Sequence, residues 1–393
     1  MAAIATPQTS TITLSLPSDV IDSNTSLKFT PIPGAPLGAV VTLPDGVTDP
    51  SLLNDKDFDE LKSGLLTHSV LVIPGMEDLH PTSQYNLTKR MDPTCGAGAY
   101  GHAKEFRHNK SVLRRDGVSV PYQPQVQVLG QGKFEDHCGM DEITLRHPTH
   151  FDFHNEPLTD KEVEDGYTRF YRWHIDSALY GLSPPVCTTL LGIHVPDSTK
   201  TMKIKYEDTG DEIEIAQAGT AFMSTVNAFE NLSEEDKQMV LGTTVEYAPH
   251  PYIFISPARA TSDGLTMVSE GKETPFESLP EWEESKVKKL PMVWTNPITG
   301  RHHLQVHGCC VYKLHLPNGK VLELEDARKE VHRLMRPAIN PSNIYVHAWK
   351  KGDLALFHNQ GVLHSVTGQF APGERRLMHQ CNIASGIDPV TTL

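Results

Sequence analysis

The stretch FYRWHIDSALYGLSPP, residues 170–185, decides how this chain is read. Aromatic and β-branched residues flank His174-Ile175-Asp176, and in extended backbone residues two apart project to the same side. The spacing predicts a strand over 169–176 that places an imidazole and a carboxylate side by side in an apolar setting. Two histidines and one carboxylate on one face, with the remaining positions open, are the arrangement of non-haem Fe(II) oxygenases. A third partner is therefore sought further along the chain.

A single His-x-Asp is weak evidence, because the chain holds 20 histidines and 49 acidic residues and chance matches are expected. One is present: His150-Phe151-Asp152, within HPTHFDFH. That copy follows a proline in a polar stretch, whereas His174 and Asp176 lead from an apolar run into a Pro-Pro turn. His174 and Asp176 are preferred, and His150, Asp152 and His154 are read as a solvated or locally hydrogen-bonded loop.

The third donor should come from a late strand, since closing a barrel or sandwich joins sequence-distant positions. GDLALFHNQGVLHSV offers His358 and His364. His364 lies in an apolar strand after the HNQG turn and points inward, while His358, beside the turn, is read as a rim residue. In GERRLMHQCNI, alternation puts Arg376, Met378 and Gln380 on one face. A guanidinium there suits a dicarboxylate co-substrate, because its planar fork pairs with a carboxylate in bidentate fashion.

Working outward, NDKDFDELKSGLLTH spaces Phe58, Leu61, Leu65 and Leu66 as a helix behind an Asn54 or Asp55 cap. Strands are predicted at SVLVIPG, PQVQVLGQG, 187–195, 201–206, EIEIAQAG, HPYIFIS, LPMVWTNP, HLQVHGCCVYKLHL and NIYVHAWKKGDLALFHN. A helix over LELEDARKEVHRLM puts Leu324, Ala327, Val331, Leu334 and Met335 on one face. Residues 1–27 read as a disordered tail rich in Ser, Thr and Pro. Polar, histidine-rich 131–165 reads as a long loop, TKTMKIKYEDTGDEIEI as an extra hairpin, and 257–290 as an inserted loop or lid. Many strands, few helices and no regular βα alternation give a mainly β (α+β) class with a sandwich or barrel core.

Lys and Arg number 35 against 49 Asp and Glu, a formal charge of −14, which disfavours nucleic-acid and anionic-membrane partners. No apolar run is long enough to span a bilayer, and the N-terminus lacks a secretory pattern. Six cysteines without CxxC spacing indicate free thiols in a reducing, cytoplasmic setting. A small-molecule substrate is expected, and an oligomer is compatible with the sequence.

Taken together, PLGAVVTL, THSVLVIPG, WHIDSALYGLSPP, GTAFMSTVNAFENLS, NPITGRHHLQVHG, GDLALFHNQGVLH and RRLMHQC resemble the taurine dioxygenase family of Fe(II)/2-oxoglutarate-dependent oxygenases. The resemblance implies a double-stranded β-helix, or jelly roll, spanning 28–393 as a single domain with insertions near 131–165, 198–217 and 257–290. It implies His174, Asp176 and His364 as ligands of Fe(2+), Arg376 and Thr220 as the 2-oxoglutarate site, and O2 as co-substrate, with ascorbate supportive. Sulfonate-binding members carry an arginine where this chain has Gln380. An amide cannot neutralise a sulfonate but can donate and accept at once, as a lactam-bearing heterocycle such as a purine requires. Asn382, two positions on, offers a second amide, and Gln125 is a further candidate contact.

Three rivals bear on this reading. The same chemistry on a sulfonate, sulfate ester or aryloxy acid would use a cation such as Arg172 or Lys161. A cupin-type hydrolase or isomerase would have no use for the Arg376 and Thr220 clamp. A non-catalytic binding protein on this scaffold would have lost a ligand.

Overall fold

The computed structural model describes residues 27–392 apart from Ala97, 113–116, Pro148, 197–198, Gln369, 371–372 and the side chain of Asp152. The tail expected over 1–27 lies outside the described residues save for Leu27, which is buried.

Helix Asp55–His68 starts where expected: the Asn54 side chain accepts from the Asp57 backbone N–H, supplying one of the partners that a first helical turn lacks. Its apolar stripe of Phe58, Leu61 and Leu65 packs with Leu71 and Ile73 of strand Val70–Ile73. That strand enters a nine-stranded sheet. Its spatial order is Lys28–Pro31, Ala39–Thr42, Val70–Ile73, Leu354–His358, Cys187–His194, Arg376–Asn382, Gln123–His137 and Val118–Val120. Met140–Leu145 pairs with the far end of Gln123–His137. All pairs are antiparallel except Ala39–Thr42 with Val70–Ile73.

A second sheet, ordered Ile344–His347, Thr220–Ser224, Val362–Val366, packs on the inner face of the first. Alternation along Leu354–His358 shows the division. Leu354 and Leu356 join the helix-facing core with Leu61 and Leu87, while Ala355 and Phe357 meet Phe222 and Val362 between the sheets. A strand covered on both faces reads as a continuous apolar run, which is why LALF carries no polar alternation. Strands Thr201–Lys205 and Glu212–Ala216 pair antiparallel, the hairpin expected within 198–217. Helix Leu324–Met335 buries Ala327, Val331, Leu334 and Met335 as its spacing predicts.

Several expectations need correction. The stretch 169–176 is not a regular strand; Tyr167–Thr168 is one, and beyond it the backbone is held by single bridges at Phe170–Thr367 and His174–His364. HPYIFIS forms a short helix, Pro251–Phe254, because proline occupies its first turn and a short apolar run has no periodicity to choose strand over helix. Much of the polar stretch 131–165 is a hairpin whose side chains are half solvated, so strand backbone hides in a polar sequence. His150 and His154 are buried rather than solvated, His154 bonding locally to the carbonyls of His150 and Phe170 at 3.1 and 2.8 Å. His358 is buried, not on the rim.

The segment 257–290 keeps the irregular backbone expected of an insertion but is packed down. Ala258, Ala260, Leu265 and Met267 belong to the main core, and the Gly264 carbonyl accepts from Trp173 N–H at 2.9 Å. Asp263 is 2.7 Å from His332 Nε2 on the Leu324–Met335 helix, and Arg328 of the same helix pairs with Glu273. Among the described residues no helix is long and apolar enough to cross a membrane.

Gly130 marks the point where strand Gln123–His137 leaves the sheet for its hairpin. Its φ is +150°, and a Cβ there would lie 1.7 Å from the Arg376 carbonyl oxygen. Gly130→Ala is expected to destabilise the fold by roughly 3 kcal/mol or more, since backbone rather than a flexible side chain must move. A denaturant midpoint equal to wild type would show that the strand reaches this close approach without needing glycine.

Candidate metal centre and its cavity

His174 and His364 are joined backbone to backbone. Each N–H donates to the other's carbonyl at 3.0 Å, a hydrogen-bonded antiparallel pair standing alone between an irregular segment and strand Val362–Val366. This bridge sets the two rings side by side, with centroids 4.1 Å apart. Asp176 is fixed by Asn359: the Asp176 N–H donates to Asn359 Oδ1 at 2.8 Å, and Asn359 Nδ2 donates to the carbonyls of Asp176 and Pro185 at 2.9 and 3.0 Å. One fully buried amide thus satisfies three backbone groups that have no strand partner. Candidate donor atoms of His174, Asp176 and His364 then all lie within 4.8 Å of one another.

The electrostatics of this trio fit a cation. Burial pushes the Asp176 carboxyl up, opposed by His174 and by hydrogen bonds from Thr188, Gln380 and Asn382. Thr188 Oγ1 and Gln380 Nε2 donate to Asp176 Oδ2 at 2.8 and 3.1 Å. Burial drives His364 well below the usual imidazole range, so it is a neutral ring with lone pairs to offer. His174 Nδ1 donates to the Arg172 carbonyl at 2.8 Å, which leaves Nε2 as the basic nitrogen. His364 Nδ1 is buried with no hydrogen-bond partner. Two imidazoles and a carboxylate of this kind suit Fe(II) among other divalent ions.

The trio opens into a cavity of about 980 Å³ between the two sheets. Arg376 and Thr220 line it from opposite sheets, and both are buried. Burial lowers the Arg376 guanidinium to about 10, and its Nε has no hydrogen-bond partner. Thr220 Oγ1 accepts from Trp349 Nε1 at 3.0 Å, which leaves the hydroxyl proton free to donate. Arg172 lines the same cavity with its guanidinium 4.3 Å from the Phe153 ring centroid. Lys161 does not line it and pairs with Asp165 at 2.8 Å in solvent.

Gln380 and Asn382 line the cavity, as the alternation along Arg376–Asn382 predicts, but both also serve Asp176. Gln125 is not among the lining residues. Its Oε1 accepts from Gln123 Nε2 at 2.7 Å, and Gln127, opposite Gln380 in the strand register, takes the cavity position instead. Sequence reasoning missed Gln127, Asn359 and Thr188. The two-residue period from Gln125 pointed at Gln127, and Thr188 sits in a strand beside Asn382, whereas Asn359 looked like an ordinary turn residue.

Asn359→Ala is expected to leave buried backbone groups of Asp176 and Pro185 unpaired, at a cost of about 2–4 kcal/mol, and to weaken metal binding by loosening Asp176. Paired thermal melts and metal titrations check this; a variant that melts and binds like wild type would remove Asn359 from its supporting role.

Residues 28–382 match the family described as "Taurine catabolism dioxygenase TauD, TfdA family". The chain is 46% identical over 355 residues to the alpha-ketoglutarate-dependent xanthine dioxygenase xanA of Emericella nidulans, covering 89% of this chain and 95% of that protein. It is 42% identical over 345 residues to the alpha-ketoglutarate-dependent xanthine dioxygenase xan1 of Schizosaccharomyces pombe, covering 86% and 83%. Among solved structures, a taurine dioxygenase from Burkholderia xenovorans superposes with a TM-score of 0.55 at 15% identity, covering 93% of each chain, and so shares the fold. The two-sheet architecture, the match along nearly the whole chain and the identity to these relatives place it in one family: this chain belongs to the taurine catabolism dioxygenase TauD, TfdA family.

Proposed function

We propose that this protein is an Fe(II)- and 2-oxoglutarate-dependent dioxygenase that converts xanthine, 2-oxoglutarate and O2 into urate, succinate and CO2, with the oxygen entering at C8. The observation that carries the chemistry is the pairing, in one cavity, of the His174, Asp176, His364 trio with a buried Arg376 whose Nε has no partner. The substrate rests on relatives 42–46% identical over most of the chain, each named as a xanthine dioxygenase. The sheet order supports a double-stranded β-helix as the scaffold, with 28–393 as a single domain and insertions near 131–165, 198–217 and 257–290.

In this reading His174, Asp176 and His364 hold Fe(II), which supplies, when bound, a redox-active centre at which 2-oxoglutarate and O2 react. Arg376 takes the distal carboxylate of 2-oxoglutarate through its planar fork, and the Thr220 hydroxyl donates a further hydrogen bond. Arg376 and Thr220 are themselves buried, so these two contacts act at a lower dielectric than in water. Gln380 and Asn382 present amides to the purine, donating to a ring carbonyl and accepting from a ring N–H. Arg172, a half-buried cation at the same wall, supports a substrate that carries negative charge or carbonyl oxygens. That same observation favours one second reading, identical chemistry on a sulfonate, sulfate ester or aryloxy acid.

Purified protein supplied with Fe(II), ascorbate, 2-oxoglutarate and O2 should release succinate and urate in equal amounts once xanthine is added. Succinate that appears with a sulfonate or aryloxy acid and not with xanthine would replace the purine by the second reading. Asp176→Ala should lose Fe(II) binding together with turnover. Arg376→Ala should raise the KM for 2-oxoglutarate by about tenfold to a hundredfold, the worth of one charge-assisted contact. A defect in that variant confined to the KM for xanthine would mean that the two pockets are interchanged.

A further inference from the structure

A second group of metal-type donors lies on the other side of the same strand. Arg376, Met378, Gln380 and Asn382 face the cavity, and Leu377, His379 and Cys381 alternate with them toward the outer face. Beyond Gly130 the hairpin Gln123–His137/Met140–Leu145 folds back over that face, where Phe134, Met140, Ile143 and Leu145 pack with Val126, Val128, Leu377 and Cys381. Its tip brings His137 and Cys138 onto His379. The backbone at the tip is in the left-handed region at Asp136 (φ 51°) and Cys138 (φ 52°), residue types without glycine's freedom.

Nε2 of His137 and Nε2 of His379 lie 2.8 Å apart, and Cys138 Sγ lies 3.6 Å from His137 Nε2. Candidate donor atoms of the three residues all fall within 4.8 Å of one another. Tetrahedral zinc with Zn–N of about 2.05 Å and Zn–S of about 2.3 Å would hold two imidazole nitrogens about 3.3 Å apart and a nitrogen about 3.5 Å from a thiolate. The observed N···S distance is already suitable, and the two rings need to part by roughly half an ångström. Burial lowers both imidazoles below their usual range, His379 to about 3, so they stand as neutral donors. His379 is buried and the other two residues are half-buried, which leaves a path for an ion and a fourth position for water.

We propose that His137, Cys138 and His379 form a zinc-binding site, separate from the catalytic cavity, that pins the 123–145 hairpin to the outer face of the main sheet. Thiolate with two imidazoles selects zinc or copper over magnesium and calcium, and the tetrahedral set available here suits zinc. Binding releases the Cys138 thiol proton to solvent, with no change of oxidation state, and so weakens as pH falls. The root of the hairpin, including Gln127, Leu129, Gly130, Thr144 and Arg146, lines the cavity, so an ion at the tip would steady one cavity wall from outside.

Co(II), an optical stand-in for zinc, tests this on the full-length protein under anaerobic conditions. The proposal expects two equivalents bound and a thiolate-to-cobalt charge-transfer band in the near ultraviolet. Cys138 is the only cysteine that is not buried, so the band would report this site. Cys138→Ser and His137→Gln should each keep one equivalent while losing the band; His174→Ala should keep the band. A single equivalent in the wild type, a second equivalent without the band, or a band that survives Cys138→Ser would each overturn the proposal and reduce the cluster to a hydrogen-bonded histidine pair.

Discussion

The constraint on which this structure depends is that a carboxylate and two imidazoles must converge where one contributing segment has no strand to belong to. Residues 169–176 lack continuous ladder pairing, so their backbone groups need other partners. The reciprocal bridge between His174 and His364, 3.0 Å in each direction, and the three hydrogen bonds of Asn359 provide them. Both devices reach the chain at the turn-and-strand unit 358–366, so the late strand does more than donate His364. It fixes the backbone of the early donors as well. Trp173 N–H is tied to Gly264 from the other side, so 257–290 closes the support.

The packing of two sheets then decides what the cavity contains. Strand Arg376–Asn382 is buried along its whole length, yet its alternate residues do unlike work. Leu377 and Cys381 are ordinary core under the hairpin, whereas Arg376 and Gln380 are polar groups turned inward. Burying a guanidinium without a carboxylate partner is costly. The neutral pairing of Thr220 with Trp349 avoids that cost and leaves the Thr220 hydroxyl proton free to donate.

What could be read from sequence follows the reach of periodicity. The convergence of His174, Asp176 and His364 was legible because their strand or near-strand spacing survives even where the strand itself dissolves: His174 and Asp176 are still on one side although 169–176 is irregular. The helices at 55–68 and 324–335 were legible because an amphipathic stripe of three or more turns cannot be mistaken for another element. HPYIFIS was not, since four apolar residues after a proline carry no period that favours strand or helix. The 131–145 hairpin was hidden by its polar surface, and His358 by the habit of placing turn neighbours on a rim. Asn359 was invisible for a deeper reason: its role lies in three tertiary hydrogen bonds, and nothing in HNQG records them.

The amides of Gln380 and Asn382 line the cavity and also hydrogen-bond to Asp176. Gln380 Nε2 already donates to Asp176 Oδ2 at 3.1 Å, so that hydrogen is committed to orienting the carboxylate. The amide keeps a second N–H and a carbonyl oxygen for a substrate. An arginine at this position would put a full charge beside Asp176 and compete with any divalent ion for it. A neutral amide holds the carboxylate in place without neutralising its charge. Arg172 is one of the cations that line the cavity; its backbone carbonyl fixes the His174 ring while its guanidinium lies over Phe153.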